Sequence, residues 1–324
     1  MLIAKDAQGE LYSCLDQVIE RRIQYYCPAC SGPLVFKSGA VMRSHFAHQS
    51  LKDCQFFHEN ESSEHLSLKA QLYSSLAETE KVEIEKVLPD IQQIADLMVN
   101  DRLALEVQCS PLSIERLRER TNSYQEVGIQ VLWLLGKRLW MQQRLTDLQR
   151  QLLYFSSNMG FHLWELDADQ SLIRLKYLIY EDWQGKVHYL EQQFPLAAHV
   201  IDVFRIPYRS QKIQTYQRAC HLDLLNYIQR QLQQKKAFWM SLQEAAYLRG
   251  DNLLTRPLDS FYPQIRFPKS DHGFCQIKED LAPFYQAFNQ FYEKVTDKRY
   301  QVLYPPAVYV KMKSDLKEKR SSHE

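Results

Sequence analysis

No stretch narrows the choice of fold more than IADLMVNDRLALEVQ, residues 94–108. Two apolar runs flank Asn100-Asp101, a pair suited to a turn. Side chains alternate along a strand. Leu97 and Val99 therefore share one face and Asp96 and Met98 the other, while Leu103, Leu105 and Val107 oppose Glu106 and Gln108. Matching the apolar faces fixes the pairing parity. A loop of Asn100 to Arg102 sets Leu97 against Leu105 and Asp96 against Glu106. Opposed Cβ atoms lie about 4.5–5.5 Å apart, near enough for two carboxylates to share one ion. Mg²⁺ prefers such oxygen ligands. A plain half-buried hairpin would also put acids on its wet face, so the flanking sequence has to decide.

Upstream, ESSEHLSLKAQLYSSLAE carries Leu68, Leu72 and Leu76 at helical spacing. VEIEKVL reads as a further strand ahead of QIADLMV and LALEVQC. SIERLRERTNSYQEVG is helical, with Ser113 as N-cap and Gly128 as stop, and IQVLWLL is a buried strand. The order α-β-β-β-α-β, with D-x9-E-x-[KQ] across its second and third strands, is that of a restriction-endonuclease-like core. In the first helix Glu61, Glu64, His65 and Lys69 would lie beside the sheet, with Lys69 read as solvated. In the second, Arg116, Arg120 and Tyr124 suit phosphate contact.

Ahead of this core stands CPACSGPLVFKSGAVMRSHFAHQSLKDC. Cys27 and Cys30 can aim both sulfurs at one ion from a tight knuckle, and a hairpin bending at Lys37-Ser38-Gly39 would return His45 and His48 to it. Zn²⁺ needs four N or S ligands, and Cys54 makes five candidates. Knuckle geometry favours Cys27, Cys30, His45 and His48, with Cys54 able to replace a histidine. A structural zinc is expected, because so short a segment gains its fold from the metal.

The chain divides by texture into a zinc-ribbon-like β module (1–58), the α/β core (59–150) and a mixed, largely helical region (151–324). In the last, WELD, SLIRLKYLIY and KVHYLEQQF suggest a meander, and Phe238, Trp239 and Tyr247 suggest helix core. The tail KMKSDLKEKRSSHE is polar enough to fray. FRIPYRSQKIQTYQRACH offers Arg205, Arg209, Lys212 and Arg218 among aromatics and without an acid, a composition suited to single-stranded nucleic acid. The formal net charge of +1 means that any basic surface is local. Seven cysteines, an odd number, argue against a disulfide framework. The charged N-terminus lacks the apolar run of a signal peptide, and no apolar stretch approaches the roughly 20 residues of a spanning helix. A cytoplasmic protein without a membrane segment is expected.

Taken in order, C-x2-C…HFAH…C, ESSEHLSLK, ADLMV…LALEVQCS and R-x3-Y ahead of VLWLL resemble the competence protein CoiA family, over about residues 1–140. That family is similar to PD-(D/E)XK nucleases and is associated with natural transformation, where it promotes recombination of incoming DNA. The resemblance implies catalytic positions at Glu64, Asp96, Glu106 and Gln108. It implies Mg²⁺ or Mn²⁺ held by Asp96, Glu106 and the Val107 carbonyl. Gln108 stands where the motif usually has lysine, and its amide can orient water but carry no charge. The implied partners are single-stranded or branched DNA, a recombinase and other competence proteins. The alternative is a DNA-binding recombination accessory built on an inactive nuclease fold.

Overall fold

The computed structural model describes residues 1–39, 42–50, 54, 61–197 and 199–312; the tail expected to fray lies, beyond residue 312, outside them. The N-terminal module is a sheet of β1 (Ile3–Lys5), β2 (Leu11–Ser13), β3 (Tyr25–Tyr26), β4 (Pro33–Lys37) and β5 (His45–His48), in the order β2-β1-β3-β4-β5. The expected hairpin is there: Leu34 pairs with His48 and Lys37 with His45. Tyr25, Leu34 and Phe46 fill a small core beside Cys27 and Cys54.

The next elements follow the expected order: α1 (Ser63–Leu76), β6 (Val82–Leu88), β7 (Gln93–Val99), β8 (Leu103–Gln108), α2 (Ile114–Glu126) and β9 (Gln130–Leu135). Ser62 and Ser113 cap the two helices by accepting from the backbone N–H groups of His65 and Arg116. Asn100 and Asp101 turn the hairpin at φ +51° and +54°, a left-handed backbone that Asn and Asp tolerate. Leu97 pairs with Leu105 as parity required. The acid face of this hairpin is not wet, because β8 is buried along nearly its whole length.

The sheet does not stop where the sequence suggested a boundary at residue 150. After α3 (Asp147–Gln151) come β10 (Tyr154–Ser156), β11 (Gly160–Asp167), β12 (Leu172–Asp182) and β13 (Val187–Pro195), an antiparallel meander from β11 to β13. Its first long strand pairs parallel with β9, giving the continuous order β13-β12-β11-β9-β8-β7-β6. Leu163, Leu166, Ile173 and Leu175 join the cluster that holds Leu97, Leu105, Leu117 and Trp133. The division therefore cuts through one sheet and one core.

Beyond α4 (Val200–Arg205) the chain forms β14 (Tyr216–Ala219), α5 (Leu224–Gln233), α6 (Ala237–Tyr247), β15 (Ile265–Arg266), α7 (Ala282–Glu293) and β16 (Tyr300–Leu303). β14 pairs with β16, and β15 adds to β12. α5 and α6 are separated by a break where Lys235 takes φ +53°. Trp239 is core as expected, whereas Phe238 and Tyr247 are exposed because the buried stripe of α6 runs through Trp239, Gln243 and Ala246. Among the described residues no helix is long and apolar enough to cross a membrane.

Candidate functional site

β8 and β9 run parallel, Glu106 beside Trp133 and Gln108 beside Leu135, so their C-terminal ends open at one edge. Ligands commonly bind at such an edge. The close approach there requires glycine at 136: a Cβ would lie 2.6 Å from Cys109 Sγ and 3.0 Å from Glu64 Oε1. A cleft of about 440 Å³ lies at this edge, lined by α1, β7, β8, α2 and the N-terminal module.

Asp96 is the hub of its floor. Oδ2 accepts from Val107 N at 2.9 Å and faces His65 Nε2 at 3.0 Å. Glu61, His65 and Asp96 bring potential ligand atoms within 4.8 Å of one another, a mixed O and N set able to hold a divalent cation. His65 and Lys69 share a face of α1 at four-residue spacing, and Glu61 meets both from just ahead of the Ser62 N-cap.

Lys69 is not solvated. Its side chain is 1% exposed, bonded to Glu61, 2.5 Å from Glu85 Oε1 and 3.7 Å from Asp96 Oδ1. Burial alone would lower its pKa, but Glu61, Glu85 and Asp96 raise it and keep it charged. Burial likewise acts to raise Asp96, yet His65, Lys69 and the Val107 N–H outweigh it and hold the carboxyl at about 2.

Sequence reasoning missed Glu85. It stands where the β6–β7 register skips one pair, between Ile84–Leu97 and Lys86–Ala95, with φ +52° in mid-strand. Such backbone is costly outside glycine, and the surroundings must hold it. Glu85 accepts from Leu2 N and Ile3 N at 2.8 and 3.0 Å, so it binds the N-terminal module to the floor of the cleft. In VEIEKVL it reads as one more acid on an alternating strand.

Glu106 lies next along the sheet, but its carboxylate is engaged with α2. Oε2 takes Arg120 Nη2 at 2.7 Å and Oε1 takes the Tyr124 hydroxyl. Burial, with Asp96 adding to it, pushes Glu106 up to about 7 against the pull of Arg120. This pairing corrects the surface roles expected on α2: Tyr124 is fully buried and Arg120 lies over the Trp133 ring at 5.1 Å. Arg116 and Arg120 do line the cleft, together with Arg138, which the Lys137-Arg138 pair after β9 could have signalled.

Other expected positions differ in detail. Glu64 lines the cleft but accepts from Lys137 N at 2.7 Å and is not one of the gathered ligands. Val107 donates its N–H to Asp96 at 2.9 Å. Gln108 is buried and donates Nε2 to Ser110 O at 2.8 Å. Arg205, Arg209, Lys212 and Arg218 are exposed and stand outside the cleft lining. Asp202, just outside the acid-free window, pairs with Arg209 at 2.6 Å and Arg205 at 3.8 Å.

A second cluster, Cys27, Cys30, His48 and Cys54, brings its ligand atoms within 4.8 Å and could hold a metal ion. The tetrad takes Cys54 in place of His45. His45 and His48 sit on strand β5, where three steps reverse the side-chain face, and His45 Nδ1 contacts Arg43 O. Burial pushes the Cys27 thiol up to about 12, so a cation is needed to hold its thiolate. His48 and Cys54 also line the cleft, making the module one of its walls.

The family model of the nuclease-like domain of competence protein CoiA matches residues 61–206, and that of its N-terminal domain matches residues 12–57. Competence protein CoiA of Bacillus subtilis (strain 168) is 34% identical over 126 residues, 37% of this chain. That alignment spans only 33% of the relative's own length. No solved structure matches. The two matches fall in sequence order on the Cys/His module and on the acid-floored cleft, and the chain belongs to the competence protein CoiA family.

Proposed function

We propose that this protein is a divalent-metal-dependent deoxyribonuclease with a PD-(D/E)XK-type core, acting in the cytoplasm on incoming DNA during natural transformation and recombination. The observation that carries the reading is the cleft itself, where Glu61, His65 and Asp96 gather beneath a rim holding Arg116, Arg120 and Arg138. The donor set fits Mg²⁺ or Mn²⁺, with Glu106 next in line beside Asp96. A bound ion supplies charge to the scissile phosphate and a more acidic attacking water. Arg116 and Arg138 steer the DNA backbone into the cleft. Asp96, held ionised, anchors the site, and Lys69 brings within 3.7 Å of it the positive charge that position 108 lacks. The exposed Arg205, Lys212 and Arg218 extend the DNA track toward single-stranded or branched substrates passed to a recombinase and other competence proteins. The Cys27–Cys30–His48–Cys54 set suits structural Zn²⁺, being three sulfurs and one nitrogen.

A second reading has its own support. Lys69 already pairs with Glu61 and Glu85, and Glu106 already pairs with Arg120. An accessory protein that binds DNA without cutting it would keep its acids balanced in this way. The deciding experiment incubates linear, single-stranded and branched DNA with the protein in Mg²⁺ or Mn²⁺, beside Asp96→Asn and Glu106→Ala. Metal-dependent cleavage lost in both variants, with DNA binding kept, supports the nuclease. DNA binding without cleavage of any substrate establishes the accessory, and cleavage that survives in both variants removes the site.

A further inference from the structure

Resting on the metal-dependent reading, we propose that Arg120 is a latch on Glu106 that the DNA backbone opens, with Tyr124 holding the freed carboxylate in place. Phosphate binding and divalent-ion binding in the cleft then reinforce one another.

Glu106 is 2% exposed and both its oxygens are occupied from α2, by Arg120 Nη2 and the Tyr124 hydroxyl. A divalent ion shared between Asp96 and Glu106 would meet the Arg120 guanidinium on the same carboxylate, and like charges at such distances repel strongly in a buried site. With Arg120 in place, Glu106 is a poor ligand. Arg120 cannot simply leave, because separating a buried ion pair strands two charges.

A phosphodiester resolves both difficulties at once. Arg120 lines the cleft with its side chain 18% exposed, and it is braced by the Trp133 face at 5.1 Å and by Gln93 Oε1 at 3.4 Å. Its five N–H donors suit a phosphate in bidentate contact. Turning from Glu106 to a phosphate keeps the guanidinium paired and its stacking on Trp133 intact. Glu106 then loses its cation as the ion supplies another. Tyr124, neutral and fully buried, stays on Oε1 and keeps the freed carboxylate in line with Asp96. Arg120 and Tyr124 are thus positioning residues for the ion. Coupling of this kind is reciprocal: whatever the phosphate adds to ion affinity, the ion adds to phosphate affinity.

The test titrates full-length, zinc-loaded protein with Mn²⁺, reading unbound Mn²⁺ by electron paramagnetic resonance, with and without a short single strand whose phosphorothioate linkages resist hydrolysis. In the wild type the oligonucleotide should raise Mn²⁺ affinity about tenfold, within the usual range of coupled sites. Arg120→Gln should bind Mn²⁺ more tightly than the wild type without oligonucleotide and gain little from adding it, while Arg120→Lys keeps the dependence. Tyr124→Phe, which leaves the ring in the core and Arg120 in place, should keep the dependence but bind Mn²⁺ more weakly than the wild type when oligonucleotide is present. Equal Mn²⁺ affinity with and without oligonucleotide in the wild type overturns the latch alone. So does an unaltered dependence in Arg120→Gln or, where that variant does not fold, in Glu106→Gln, which leaves Arg120 no carboxylate to close on. No Mn²⁺ binding outside the Cys/His tetrad under any condition overturns the metal-dependent reading, and the latch with it.

Discussion

Lys69 Nζ stands 3.7 Å from Asp96 Oδ1, inside the protein, with Glu61 and Glu85 on its other sides. One ammonium therefore serves three carboxylates, one from just ahead of α1 and one from each of two adjacent strands. On the nuclease reading, this arrangement would answer the absence of lysine at 108, the positive charge coming from the helix instead of the strand. It also ties the cleft to the N-terminal module, because Glu85 holds Lys69 with one hand and the Leu2 and Ile3 amides with the other.

Removing that ammonium separates its structural role from its chemical one. Lys69→Met leaves Glu61, Glu85 and Asp96 facing one another without a cation. Breaking a buried pair from one side costs about 3–5 kcal/mol, and urea unfolding should show a loss of that order. Lys69→Met with Glu85→Gln removes one of the stranded charges and should recover part of the stability without recovering DNA cleavage. Wild-type cleavage by the double variant would show that Lys69 only holds the fold together.

Position 108 gives a second test of where the charge comes from. Gln108 is 7% exposed and spends its amide on Ser110 O. Gln108→Lys restores the commoner motif letter but adds a second cation to a cleft that Lys69 already lines, and it breaks the Ser110 contact. Cleavage rates of this variant should not exceed those of the wild type. A large gain would mean that Lys69 does not supply the charge.

Much of this site was legible from period alone. Two-residue alternation placed Asp96 and Glu106 on one face, and the register of Leu97 with Leu105 agrees. What misled was assuming a local shape for a motif. H-x2-H serves one ion only in a knuckle, and here it lies on a strand, so His45 leaves the set and Cys54 enters. Glu85 was beyond reach, because its role depends on a left-handed φ in mid-strand that no letter announces. The engagement of Arg120 and Tyr124 with Glu106 was not legible either, because charge and aromaticity are visible in a sequence while the burial that joins these three is not. The boundary at 150 failed for a plainer reason: a parallel partner for β9 comes from after an intervening helix, and pairing over such a gap leaves no periodic trace.

Acid sensitivity has one separable source away from the cleft. His162 is fully buried on β11, with Nδ1 on Gly160 O, and burial lowers its pKa to about 4 from an ordinary value near 6.5. The unfolded chain then binds the proton more readily between those two values, so stability falls as pH drops through that window. His162→Phe keeps an aromatic ring beside Tyr154 and removes the titration. Between pH 7 and pH 5 the wild type should lose about 2 kcal/mol more stability than this variant. Denaturant curves at the two pH values give the difference, in which the carboxylates common to both proteins cancel. Parallel losses would mean that His162 is protonated in the folded chain.

The Cys/His cluster that could hold a metal makes the sharpest distinction, because two histidines three residues apart should behave differently. His48 shares its cluster with Cys27, Cys30 and Cys54, whereas His45 is on the opposite face of the same strand. His45→Ala should retain zinc at the wild-type ratio per chain, measured by elemental analysis after dialysis. His48→Ala and Cys54→Ser should lose most of it, since three ligands leave the tetrahedron open. The loss should reach the cleft as well. β1 and β5 belong to the module the metal holds, and Glu85 reaches Lys69 only while the Leu2 and Ile3 amides fix its carboxylate. Chelator-treated protein should accordingly show faster amide exchange at Leu2 and Ile3 and weaker Mn²⁺ binding at the floor, before the central sheet unfolds. Retention of zinc by His48→Ala with its loss in His45→Ala would reverse the ligand set.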